Sequence, residues 1–175
     1  MEGITGITVR RALSTDAEII ADISRQAFYE AFASFNTADN MEKFMSGPFS
    51  RENLLKEFSD ARHIFFLALL DDKPVGYAKL TDGEAPVSLD AWRAIELSRI
   101  YALKEFTGKK IGQALMDNCI RFAKENNWQV IWLGVWENNL RAIKFYRQLG
   151  FEKFSEHIFM LGDDAQTDWL MRKIL

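Results

Sequence analysis

Apolar positions recur along the chain at two spacings, alternate residues in some stretches and every third or fourth in others, and the switches between them mark out the elements. Ile7-Thr8-Val9-Arg10 alternates as a strand. Ile19, Ile20, Ile23, Ala27, Phe28 and Ala31 share one helical face, predicting a helix to about Ser34 that opens with Thr15 and Glu18 as a capping box. Residues 36–40 turn the chain into a second helical region punctuated by Gly47-Pro48, after which Ser50 caps a further helix through Phe58. Two apolar runs, 63–70 and 75–80, flank Asp71-Asp72-Lys73-Pro74 and read as a β-hairpin. A loop at 83–90 follows. Ile95, Leu97, Ile100 and Leu103 then form a covered strand, and beyond Gly112 a helix carries Leu115, Cys119, Phe122 and Ala123 on one face. Residues 128–136 read as a buried strand rich in Val, Ile and Trp. Asn138 or Asn139 caps a helix with Leu140, Ile143, Phe145, Tyr146 and Leu149, and Gly150 closes it in the left-handed conformation. Residues 151–160 and 168–175 make a last hairpin with a long loop. The order β-α-α-β-β-β-α-β-α-β-β predicts an α/β (α+β) domain whose mixed sheet contains one parallel pair.

At 175 residues the chain is expected to form a single domain, 1–175, with a core that needs no staples. A net charge of -3 leaves no basic excess, and no basic recognition helix is visible, so nucleic acid is not the expected partner. One cysteine, Cys119, lies on an apolar helix face as a small core hydrophobe. A chain with one cysteine closes no internal disulfide and suits a reducing cytoplasm. Residues 1–8 lack the pattern of a signal peptide, and no apolar run reaches membrane-spanning length. Two histidines and one cysteine far apart give no metal-ligand spacing.

Candidate chemistry centres on the strand–loop–helix passage from Arg99 to Met116. Gly108 and Gly112 stand where the backbone turns sharply and φ is expected to be positive. A helix starting there aims unpaired N–H groups and its positive dipole end at the loop, where Lys109 and Lys110 add charge. That geometry attracts a phosphate or pyrophosphate. Neither the Walker form nor Gly-x-Gly-x-x-Gly is present, and on this segment alone an anion site and a plain structural turn are both open.

Taken together, Ile100-Tyr101-Ala102, Gly108-Lys109-Lys110-Ile111-Gly112, Asn139 and Ala142-x-x-Phe145-Tyr146-x-x-Leu149-Gly150-Phe151 resemble the GCN5-related N-acetyltransferase (GNAT) family over nearly the whole chain. Within it the chain is most similar to PaiA-type polyamine acetyltransferases, through Trp132-Leu133-Gly134-Val135-Trp136-Glu137 and Met160-Leu161-Gly162-Asp163-Asp164-x-Gln166-Thr167-Asp168. The resemblance implies a central sheet of about seven strands with a splayed parallel pair, flanked by about four helices. It implies acetyl-CoA as cosubstrate and no metal. The pyrophosphate would lie on the N–H groups of Gly108, Lys109, Lys110, Ile111, Gly112 and Gln113, the pantetheine arm along Ile100, Tyr101 and Ala102, and Asn139 would bind the pantetheine or sugar-phosphate. The family loop usually reads Arg/Gln-x-x-Gly-x-Gly/Ala; here Thr107 takes its first position and Lys110 the middle glycine's. Family members often form dimers, so a homodimer is a further expectation.

Acetylating an amine requires the neutral amine, a polarised carbonyl and a proton for the departing thiolate. With a pKa of about 10.4, an alkyl amine is neutral about once in 2,500 molecules at pH 7, a deficit of about 4–5 kcal/mol. By the resemblance Tyr146 is the general acid. Glu96, on the central strand, is the expected base, and Glu137 is the second choice, with an expected place in the acceptor site. Tyr29 and Glu30, at the end of the first helix, are expected to line the acceptor cleft, with Phe32 and Phe35 near them. A primary amine such as spermidine or spermine is the expected acceptor. A protein N-terminus, an amino acid or an aminoglycoside would keep the transfer and change the acceptor, and a CoA-binding regulatory module would lack turnover.

Overall fold

The computed structural model describes residues 6–175; the expectation about a signal peptide therefore falls largely outside the described residues. Seven strands, β1 (Ile7–Arg11), β2 (His63–Leu70), β3 (Lys73–Thr81), β4 (Ala94–Ala102), β5 (Val130–Trp136), β6 (Glu152–Leu161) and β7 (Asp164–Ile174), form one sheet in the order β1-β2-β3-β4-β5-β7-β6. Every neighbouring pair is antiparallel except β4 and β5, which are parallel. Five helices complete the fold: α1 (Ala17–Phe32), α2 (Ala38–Ser46), α3 (Arg51–Glu57), α4 (Ile111–Glu125) and α5 (Leu140–Gln148). Gly47 and Pro48 separate α2 from α3, as the sequence pattern predicts, and each has its own N-cap, Thr37 and Ser50.

The sheet is covered on both faces, and this explains why 63–70 is apolar without alternation. Ile64, Phe66 and Ala68 join the cluster containing Leu115, Cys119 and Ala123 of α4, whereas Phe65 and Leu67 meet Ile20, Ile23 and Ala27 of α1. Helices α4 and α5 thus lie on one face, and α1 to α3 lie on the other. A buried ion cluster docks α3: Glu57 takes two hydrogen bonds from Arg99, at 2.7 and 2.8 Å, and pairs with Lys79 at 3.0 Å. Cys119 is fully buried, and burial pushes its thiol up to about 12, as befits a packing residue rather than a nucleophile.

Three local expectations are corrected. Thr15 and Glu18 do not form the capping box. A short 3-10 turn, Ser14–Asp16, precedes α1, and Asp16 accepts the Leu13 N–H at 2.7 Å while holding Arg10 at 2.7 and 2.9 Å. The last hairpin has no long loop, because pairing runs on to Leu161 and Asp164 across Gly162-Asp163. Helix α2 fixes that turn: Asn40 accepts the Asp163 N–H at 2.9 Å, and Lys43 pairs with the Asp163 carboxylate. Finally, Gly112 is an ordinary helical residue; the positive φ values belong to Gly108 (84°) and Lys110 (58°).

At Gly76 on β3, an added Cβ would lie 2.6 Å from the Tyr101 carbonyl oxygen and 3.2 Å from the Ala102 Cα of β4. Backbone cannot move aside as a side chain can. Gly76→Ala is expected to cost about 1–3 kcal/mol, lowering Tm by roughly 5 °C in thermal denaturation.

Candidate functional site

The parallel pair is joined only from Ala94 to Glu96, opposite Val130 to Trp132. Beyond that point β5 stays with β7 as far as Trp136, and β4 stays with β3 as far as Ala102, so the two strands diverge. Ile100, Tyr101 and Ala102 therefore lie on the diverging edge, and their peptide groups turned away from β3 face the opening. Glu96 stands at its vertex.

Helix α4 begins beside this opening. Its first intrahelical bond runs from the Ala114 N–H to the Lys110 carbonyl at 3.0 Å, which leaves the N–H groups of Lys110, Ile111, Gly112 and Gln113 outside the helical ladder. No side chain caps this end, because the N-cap is Lys110 in the left-handed conformation. A non-glycine residue there carries about 1–2 kcal/mol of strain. An added Cβ on Gly108 would meet nothing within 4 Å, so the turn is open toward an incoming group. Lys109 sits over the Phe106 ring at 5.6 Å, and the Gln113 side chain donates to Asp117 at 2.8 Å.

Helix α5 lies alongside. Asn139 caps it, its side-chain oxygen accepting the Ala142 N–H at 3.1 Å, which leaves the amide NH2 as the group able to meet a ligand. Phe145 packs 3.6 Å from where a Cβ on Gly112 would stand, so the first turn of α4 lies against the second half of α5 on one face of the sheet. Tyr146 follows, buried between Phe145 and Phe151. Burial alone raises its phenol above the ordinary tyrosine value, so it stays protonated throughout the physiological range. Tyr101 is raised as well, first by burial and then by Tyr77, with Tyr146 and Asp168 adding to it across the divide between the strands.

Burial also lifts Glu96 above the usual glutamate range, opposed by the Ser98 hydroxyl and by Lys79, His157 and Arg99. On β7 and β6, Asp168 and His157 face each other at 3.7 Å. Both border Gly134, where an added Cβ would lie 3.4 Å from Asp168 Oδ2 and 3.5 Å from His157 Nε2. Burial raises Asp168, and His157 holds it back. Asp168 and Gly134 belong to the sequence patterns above without having been singled out as site residues; only the β5–β7–β6 register places them here.

The three expected acceptor residues have different settings. Tyr29 lines a groove of about 520 Å³ between α1 and α2 with Arg25, Met41 and Met45, away from Glu96 and Tyr146. Glu30 is committed locally, accepting the Lys104 N–H at 3.0 Å and the Gln26 amide at 2.9 Å. Glu137 is exposed just past the end of β5, its N–H donating to the Thr167 carbonyl at 3.0 Å. Among the described residues no group of His, Cys, Asp and Glu could hold a metal ion, and no helix is long and apolar enough to cross a membrane.

This architecture and sequence have known counterparts. Residues 25–151 match the model of the acetyltransferase (GNAT) family. An uncharacterized N-acetyltransferase of Lactobacillus delbrueckii subsp. lactis is 33% identical over 172 residues, covering 98% of this chain and 99% of that protein. The spermidine N(1)-acetyltransferase of Thermoplasma acidophilum is 25% identical over 171 residues, covering 95% and 96%. Among solved structures, the PaiA N-acetyltransferase of Thermoplasma acidophilum in complex with coenzyme A superimposes with a TM-score of 0.78, at 23% identity and with 98% and 100% of the two chains covered.

Proposed function

The chain belongs to the GNAT acetyltransferase family, and from that premise we propose that it transfers the acetyl group of acetyl-CoA to a primary amine, with a polyamine as acceptor. One observation carries the reading. The uncapped start of α4 and the Tyr146 helix lie side by side where β4 and β5 part, so an anion site, an unpaired strand edge and a phenol converge.

These features fit the cosubstrate. The free N–H groups of Lys110 to Gln113 and the open turn at Gly108 suit a pyrophosphate, with Lys109 and Lys110 adding charge. The edge of Ile100 to Ala102 suits an amide-bearing arm, and the Asn139 NH2 can donate to it. When bound, acetyl-CoA supplies a thioester-activated acetyl group. A backbone N–H of the β4 edge polarises the carbonyl. Glu96, made more basic by burial, takes the proton of the attacking amine. Tyr146 donates to the departing sulfur. Even an ordinary tyrosine, at about 10 against about 8.5 for a thiol, would release its proton uphill by about 2 kcal/mol. Burial raises it further, so the phenol acts chiefly as a fixed hydrogen-bond donor to the thiolate.

A polyamine is favoured by the carboxylates of Glu96, Asp168 and Glu137 around the opening and by the relative named as a spermidine acetyltransferase. Thiol release from acetyl-CoA, followed with spermidine, spermine and a panel of amino acids and aminoglycosides, tests the reading. Fastest turnover with spermidine or spermine supports it; turnover with other amines alone changes the acceptor. Binding of CoA without thiol release from any amine would leave a regulatory module. Tyr146→Phe is expected to lower kcat about 10–100-fold while leaving the KM for acetyl-CoA within about twofold, because the lost hydroxyl serves the departing group.

A further inference from the structure

On the face covered by α1 to α3, the register sets polar residues in a row across the strands. His63 stands opposite Thr81, Thr81 opposite Glu96, and Glu96 opposite Trp132. Directly opposed residues project from the same face with Cβ atoms about 5 Å apart. A β-bulge shifts the pairing between Lys79–Arg99 and Leu80–Leu97, and the extra residue, Ser98, enters the row. Its hydroxyl lies 2.6 Å from Thr81 Oγ1, and Thr81 Oγ1 lies 3.2 Å from His63 Nδ1. Glu96 lies directly opposite Thr81 and two residues before Ser98, which places its carboxyl beside this pair of hydroxyls. At the far end, His63 Nε2 stands 3.9 Å from Asp60 Oδ2, at the solvent edge of the sheet.

A polar row thus runs from beside Glu96 to the surface without passing through the β4–β5 opening. That route matters because the cosubstrate and the acceptor fill the opening during turnover, while the base must shed its proton before the next cycle. Resting on the reading of Glu96 as base, we infer that Ser98, Thr81 and His63 carry the amine's proton from Glu96 to solvent beside Asp60.

The transfer balances. The protonated Glu96 donates to Ser98 Oγ, Ser98 donates to Thr81 Oγ1, and Thr81 donates to Nδ1 of His63 in its Nε2–H form. One proton shifts along each bond. Every hydroxyl loses one hydrogen and gains another, Glu96 regains its charge, and His63 becomes an imidazolium. The Nε2 proton then passes to water beside Asp60. Hydroxyl groups suit the middle positions because each donates and accepts at once. Burial raises Glu96 and lowers His63 from their ordinary values, which narrows the gap in proton affinity between the two ends, and charges act on both. Lys79, Arg99 and His157 face Glu96 and stabilise its carboxylate. His63 is held below its ordinary value by burial, then by Lys79 and Arg62, with Glu57 and Asp60 opposing, so its imidazolium gives up the proton readily.

Thr81→Val removes the central hydroxyl at nearly constant volume, and Thr81→Ser restores it. With both substrates saturating, Thr81→Val is expected to lower kcat about tenfold at pH 7 with the KM for acetyl-CoA unchanged. The deficit should shrink as pH rises, because hydroxide then takes the proton from Glu96 in the interval after the products leave the opening, and Thr81→Ser should recover the rate. A Thr81→Val kcat within about twofold of the parent, or a deficit equal at every pH, overturns the relay. Should Thr81→Val fail to fold, as judged by thermal denaturation, Ser98→Ala answers the same question at the next position. Glu96→Gln separates the two readings. If it retains full activity, the base assignment fails. If it is slow while Thr81→Val is fast, only the relay fails.

Discussion

Glu96→Gln is expected to lower kcat for acetyl transfer by about 10²–10³-fold, the usual contribution of a placed general base. The amide fills the same space at the vertex of the diverging strands and keeps a polar contact for Ser98, so the fold and CoA binding should survive. Loss of the proton acceptor is then separable from loss of structure. The pH profile carries a second signature. As the proposed base Glu96 would work as the carboxylate, so kcat of the parent enzyme should fall as pH drops through its pKa. Burial places that pKa above the ordinary glutamate value of 4.5, and the acid limb should therefore lie above 4.5 as well. In Glu96→Gln the residual rate should lack that limb. A variant as fast as the parent would move the role of base to Asp168 or Glu137.

The second large effect concerns stability. Glu57→Gln is expected to cost about 3–5 kcal/mol, because it leaves two buried cations without their counter-charge. Lys79 is 5% exposed and Arg99 16% by side chain, so water cannot replace the lost carboxylate. For a chain of this size the loss corresponds to a drop in Tm of about 10 °C. A change under about 1 kcal/mol would mean that solvent reaches the cluster. Acid should act in the same direction. Burial pushes the Glu57 carboxyl up, but Arg99 and then Lys79 outweigh it and hold its folded value below 4.5. A depressed carboxylate contributes its stabilisation above the unfolded value and loses it as pH falls through the folded one. The contribution should therefore be intact near neutrality and decline below about pH 4.5, and Glu57→Gln should abolish that part of the acid sensitivity. The cluster also bears on the site, since Arg99 and Lys79 belong to the same stretch of β3 and β4 as Thr81, Ser98 and Glu96.

The misreadings share a cause. The capping box was lost to Arg10, which draws Asp16 into a salt bridge and lets it take the Leu13 N–H instead. The closing hairpin looked loose because Asp163, Asp164 and Gln166 are polar. Yet Asn40 and Asn36 of the neighbouring layer bind this segment, the latter accepting from Gln166 at 2.7 Å. The left-handed residue of the glycine loop is the lysine rather than the second glycine, because α4 starts one residue before Gly112. In each case a side-chain partner outside the motif, a few residues away or in another layer, or the exact entry of the chain into a helix, outweighed local propensity.

The order of strands and helices, the Asn139 cap, the left-handed Gly150 and the phosphate-type loop are legible in the chain because they rest on periodicity and on contacts a few residues apart. The approach of Asp168 and His157 to Gly134, the buried cluster of Glu57, Lys79 and Arg99, and the row from His63 to Glu96 could be settled only by folding. They depend on strand register, on one bulge in β4 and on the docking of α3. A one-residue slip in register would send the opposing side chains to the other face, and no local pattern in a strand covered on both sides records which register wins.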